Sequence, residues 1–138
     1  MKKIFFFCVL FVGLTAIAQE VKPPAAAKSA FMKAYPAATK VKWEKENGAY
    51  EVTFVNNGGE MSAIYDAKGV LKESEHEIKL SELPAPVMTY MKAHYKGITV
   101  KNAAKITKAD GSINYEAAIK GKDVLFDANG KFIKEAKD

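Results

Sequence analysis

Two spacings of apolar residues take turns along this chain. Between Pro24 and Pro36 the spacing is helical. Ala27, Phe31, Ala34 and Tyr35 stand at i, i+4, i+7 and i+8, predicting a helix that opens on Pro24 and stops near Pro36. Val87, Met91, His94 and Tyr95 repeat that face sixty positions on, in a helix opening on Pro84 or Pro86 and ending before Gly97. Phe31 and Tyr35 thereby match Met91 and Tyr95. After each helix the period drops to two. Val41 and Trp43 share one face of KVKWEKE (40–46), and Tyr50, Val52 and Phe54 share one face of AYEVTFV (49–55) with Glu51 and Thr53 opposite. EMSAIYD (60–66) and VLKESEHEI (70–78) supply two more strands, with a turn at Asn56-Asn57-Gly58-Gly59. TVKNAAKITK (99–108), SINYEAAIK (112–120), DVLFD (123–127) and KFIKEA (131–136) take the same four places in the second half. Ala109-Asp110-Gly111 and Lys120-Gly121-Lys122 are the turns there.

The two halves also share a phrase, IYDAKGVLKE at 64–73 and LFDANGKFIKE at 125–135. Asp66-Ala67-Lys68-Gly69 and Asp127-Ala128-Asn129-Gly130 read as equivalent hairpin turns, the Asp carboxylate accepting from the N–H two residues on and the Gly left-handed. The prediction is an α+β fold with two tandem α-β-β-β-β repeats, residues 25–78 and 79–138. Together they form one curved antiparallel sheet with both helices packed on one face. The other face is expected to be exposed, carrying Glu51, Thr53, Glu73, Glu75, Asn114, Glu116 and several lysines.

The first eighteen residues stand apart. Lys2 and Lys3 precede an apolar run from Ile4 to Ala18 that closes on Ala16-Ile17-Ala18, the small-x-small pattern of a signal-peptidase site. A membrane span needs about 20 apolar residues, so this run is read as a leader cleaved near Ala18. A short extension, 19–24, then leads into a single domain, 25–138. No later stretch serves as a transmembrane segment. The one cysteine, Cys8, lies inside the leader and too early for a lipid anchor. The exported chain therefore has no thiol, which excludes thiol catalysis, zinc–thiolate sites and iron–sulfur clusters. Losing Lys2 and Lys3 lowers the basic count from 21 to 19 against 16 acids. Every base is lysine, and without guanidinium forks nucleic acid is a poor partner.

Candidate chemistry is sparse. Asp127 to Gly130 shares the acid-then-glycine order of a calcium loop, but Leu125 and Ala136 occupy positions where such a loop needs acids, so a turn is expected. His76 faces away from Glu73, Glu75 and Glu77 in a strand, too few convergent ligands for a metal. His94 is expected on a helix face half covered by the sheet. Ser29, Ser62, Ser74, Ser81 and Ser112 lie in no strand–elbow–helix context, and no Gly-rich loop opens a helix. Trp43 is read as core. No catalytic, cofactor-binding or metal residue is assigned, and no cofactor is implied.

The helix ending in AYP, the VKWE strand, YEVTF, and the YDAKG and FDANG turns together resemble the secreted PepSY-like proteins, whose fold is that of β-lactamase inhibitor proteins. The resemblance spans residues 25–137. It implies an exported, non-enzymatic module that restrains peptidases or other envelope enzymes, with hairpin loops such as NNGGE (56–60) presented to the partner. Two readings stand: binding of an envelope or extracellular protein through the open sheet face or hairpin tips, or binding of a small molecule or metal ion of the cell envelope by the concave sheet or the acid run Glu73–Glu77. A passive envelope component is a third.

Overall fold

The computed structural model describes residues 21–137, so the predicted leader and its cleavage site lie outside the described residues. Helix α1 (Ala25–Ala34) precedes strands β1 (Thr39–Glu46), β2 (Ala49–Asn56), β3 (Gly59–Tyr65) and β4 (Leu71–Ile78). A short 3-10 turn, Leu80–Glu82, leads to α2 (Ala85–His94), then β5 (Asn102–Lys108), β6 (Ile113–Ile119), β7 (Lys122–Asp127) and β8 (Phe132–Lys137). The eight strands form one open antiparallel sheet in chain order. Its two halves meet where β4 pairs with β5, from Glu73 opposite Lys108 to Ile78 opposite Ala103. The fold is α+β, and its element order is consistent with an internal repeat.

Both helices begin after a proline, Pro24 and Pro84, at the end where a missing N–H costs nothing. They end alike. Tyr35 N–H donates to Phe31 and Tyr95 N–H to Met91, each at 2.8 Å, and the next bonds, Ala38 to Tyr35 and Ile98 to Tyr95, are both 3.1 Å. Ala27 and Phe31 are buried on α1, Val87 and Met91 on α2. Each pair packs into a separate core. Phe31 meets Trp43, Val52, Phe54, Ala63 and Tyr65 in the first. Met91 meets Val100, Ala117, Val124 and Phe126 in the second.

Strand register places both cores on the same side of the sheet. Residues directly opposite in an antiparallel pair share a face. Phe54 opposes Met61, Met61 opposes His76, and the row continues through Lys105, Tyr115 and Phe126. Between the cores this face becomes a polar seam, with His76 opposite Lys105 and Ser74 opposite Thr107.

The repeated phrase has a shared geometry. Asp66 Oδ1 accepts from Lys68 and Val70 N–H, and Asp127 Oδ1 from Asn129 and Lys131 N–H, all at 2.9 Å. A register shift sits just before each turn, at Ile64/Tyr65 and at Leu125/Phe126. Gly69 and Gly130 have φ of 81° and 79°, but conformation is only half of their role. A Cβ on Gly69 would lie 2.6 Å from the Ala26 carbonyl oxygen, and one on Gly130 3.2 Å from the Val87 nitrogen. Each turn is pressed directly against the first turn of a helix.

Two sequence expectations need correcting. Val41 does not share the buried face of Trp43 and is 43% exposed. A bulge between Thr39 and Lys42, with Lys40 at φ 52°, breaks the alternation there. Ala34 is also exposed, because α1 ends at that residue and only Ala27 and Phe31 reach the core.

Gly121 shares the positive φ, but a Cβ placed there would meet nothing within 4 Å. Gly121→Ala is therefore expected to cost only the left-handed strain, about 1–2 kcal/mol. Gly69→Ala adds a backbone clash and is expected to cost clearly more. Chemical denaturation of the two variants checks this; equal losses would show that the helix contact is dispensable.

Candidate functional site

Opposite the helices, alternate positions of the strands form an inner face. It carries Glu51 and Thr53 from β2, Glu73, Glu75 and Glu77 from β4, Ala104, Ile106 and Lys108 from β5, Glu116 and Ala118 from β6, and Asp123 and Leu125 from β7. The expectation that this face is exposed is wrong for its centre. Glu51, Thr53, Glu75, Glu116 and Asp123 are buried, as are Ile106 and Leu125.

Curvature is the reason. In a flat sheet, β4 and β8 would lie about 19 Å apart at ~4.8 Å per strand. Yet Lys134 on β8 acts electrostatically on Glu73 of β4, and Asp123 on β7 acts on Glu75. The sheet has rolled into a trough whose walls shield one another's side chains. Ala104 and Ala118, small and buried at one end, leave room for that curl.

Two cavities occupy the trough. The larger, about 510 Å³, is walled by Glu51, Glu73, Ile106, Lys108, Leu125 and Lys134, among others. The smaller, about 120 Å³, lies at the other end, beside the β2–β3 turn. Glu60, Glu75, Glu77 and Glu116 line it, together with Lys40, Ser62 and His76. The two ends differ in balance: two acids with two lysines at one, four acids with one lysine at the other.

Burial dominates the acid chemistry. Desolvation raises the Glu73 pKa, partly opposed by Lys108 and Lys134. Glu75 is pushed up to about 8, first by burial and then by repulsion from Glu51, Glu73 and Asp123. On the helix side, burial pushes the Tyr65 hydroxyl up to about 12, and it makes no hydrogen bond among the described residues.

The residues singled out from sequence scatter. Glu73, Glu75 and Glu77 share the inner face while His76 points to the other, as read from alternation. Among the described residues no group of three or more His, Cys, Asp or Glu could hold a metal ion. His94 is not half covered by the sheet; it is exposed and stacks on Tyr90 at 4.1 Å, because it lies at the last residue of α2. Trp43 is core, edge-on to Phe31 at 5.6 Å. In the NNGGE loop, Asn57 and Gly58 form an exposed turn with positive φ at both, while Glu60 reaches the smaller cavity. Of these serines, Ser62 lines the smaller of the two cavities. Sequence reasoning expected a curved sheet with a concave face but missed how far that curvature buries Glu51, Glu75, Glu116 and Asp123; the small residues Ala104 and Ala118 are the signal available for it.

A family model described as "Putative beta-lactamase-inhibitor-like, PepSY-like" matches residues 15–73 and 48–134. Among solved structures, a BLIP-like protein from Bacteroides fragilis is 26% identical, covering 85% of this chain and 87% of that one at a TM-score of 0.66. A DUF2874 family protein from Bacteroides uniformis is 22% identical, covering 84% and 90% at 0.70. A protein from Bacteroides eggerthii described as a "putative periplasmic" protein is 18% identical, covering 85% and 90% at 0.72. The last two establish likeness of fold alone. No curated protein is significantly similar to the chain.

The buried carboxyl sets a pH dependence. Unfolded, Glu75 ionises near 4.5; folded, it keeps its proton to about 8. The folded chain thus holds the extra proton in that window, and stability falls as pH rises through it. Glu75→Gln is expected to flatten this slope, raising stability at pH 8 by an amount on the order of a few kcal/mol while changing little at pH 4. Thermal unfolding across pH 4–9 checks it; an unchanged slope would place the titration elsewhere.

Proposed function

This chain belongs to the PepSY-like, beta-lactamase-inhibitor-like family, and on that premise we propose that it is an exported, non-enzymatic module that binds and restrains a protein of the cell envelope, such as a peptidase. Export rests on the leader read at residues 1–18, cleaved near Ala18, and the domain is read as two repeats, 25–78 and 79–138. The described residues include no helix long and apolar enough to cross a membrane. The periplasmic description of the Bacteroides eggerthii neighbour supports the same compartment.

One observation carries the reading. Both helices of the described residues are committed to one face of the sheet, and the opposite face is a trough with a cavity of about 510 Å³ that neither of them covers. Its rim pairs an exposed apolar side chain, Ile133 at 44%, with Lys108 and Lys134. An apolar anchor beside separable charges is the arrangement from which protein interfaces draw affinity and register. The second reading, a small-molecule or ion site in the envelope, is favoured by the smaller cavity and its acids.

A tagged chain of residues 19–138, crosslinked in envelope extracts, is expected to enrich one protein. Lys108→Gln with Lys134→Gln should weaken that recovery several-fold, while Lys28→Gln with Lys33→Gln on the outer helix should not. Equal loss from both pairs, or no enrichment by the unmodified chain, would remove the trough as the docking face.

A further inference from the structure

We propose that the smaller cavity is a binding site for a primary ammonium group carried on a short alkyl stem. It deepens the reading of the trough as a recognition surface, but it does not require the partner to be a protein.

Glu75 supplies the main reason. Its residue is only 8% exposed, it lines the cavity, and it makes no hydrogen bond or ion pair within the described residues. The charges that push its pKa up are all acidic: Glu51 from β2, Glu73 on its own strand, and Asp123 from β7. A buried carboxyl without a counter-charge is costly, and a cation brought to it removes that cost. The wall shape selects among cations. Val55, Ala104 and Ala118 present apolar surface, while Glu60 and Glu77 stand exposed on the same lining. A divalent metal needs several convergent ligands, and no such group exists among the described residues. An ammonium needs only acceptors within reach of three N–H bonds, and its methylenes match the alanine floor. The volume of about 120 Å³ suits such a guest, since a cavity of roughly 150 Å³ accommodates benzene. Anions are disfavoured by four glutamates against Lys40.

Binding must displace the proton that burial holds on Glu75. The other charged groups around it are Glu77 on β4, Glu116 on β6, Lys108 on β5, and Lys40 and His76 on the cavity wall; Lys134 of β8 acts on Glu73 at the far end. Affinity for an alkylammonium should therefore rise by close to tenfold per pH unit up to about pH 8, with release of a proton.

The probe is n-hexylamine, titrated into the isotopically labelled chain and followed by amide shifts and by calorimetry in buffers of different ionisation heat. Saturable shifts at Glu75, Ala104 and Ala118, proton release, and binding at least about tenfold tighter than n-hexanol or hexanoate support the site. Glu75→Gln, which replaces the ionisable carboxyl with a neutral amide of similar shape and should fold, is expected to abolish the pH dependence and weaken binding by about tenfold or more. Glu77→Gln, at an exposed position, should weaken it only a few-fold. An acetylated, amidated lysine distinguishes the source: binding equal to hexylamine assigns a protein's lysine side chain, and selective binding of hexylamine assigns a free amine. Equal binding of hexanol, preference for hexanoate, pH-independent affinity, or no saturation by roughly 10 mM would overturn the proposal. The trough's lysine end does not enter these measurements, so failure here leaves the crosslinking result intact.

Discussion

The structure depends on two turns pressed against the starts of the two helices. At Gly69 the turn backbone approaches the Ala26 carbonyl so closely that no Cβ fits, and Gly130 lies tightly against Val87 N and the Cβ atoms of Pro84 and Pro86. A turn that tight needs its own internal support. The aspartate at its first position supplies it by accepting two backbone N–H bonds. The helix then settles at a fixed height over the strands, with Phe31 or Met91 directed into the core beneath. That requirement explains why the chain writes the same phrase twice.

Anchoring both helices to one face has a consequence for the other. A sheet covered on a single side is free to roll toward the uncovered side, and strand twist with bulges at Lys40, Tyr65 and Phe126 favours that roll. Rolling brings inner-face acids together as it removes them from water. Glu75 shows the consequence, pushed up to about 8 with Glu51, Glu73 and Asp123 around it. A fold selected for stability alone would place apolar residues there. Carboxyls held in that environment, beside a cavity, are the kind of perturbed groups that gather at functional sites.

The legible parts of the fold were those governed by local rules. Helix limits followed from Pro24, Pro36, Pro84 and Gly97, and strand faces from alternation, as with His76 set against Glu73, Glu75 and Glu77. Errors arose where one residue broke a period. The bulge at Lys40 turned Val41 outward, and the helix end left Ala34 and His94 in solvent. The Asn47-Gly48 turn, with positive φ at both residues, is a tight hairpin whose dipeptide is a readable signal that sequence reasoning did not use.

The order of the chain by itself determined the elements, their sequence and which side chains share a face, because these depend on neighbours within about four positions. Only the tertiary structure decided what the polar face would become. Whether Glu51 or Glu116 meets water depends on the angle summed over eight strands, and no local pattern encodes that sum. Curvature turned a row of acids that read as a solvated surface into the lining of a trough.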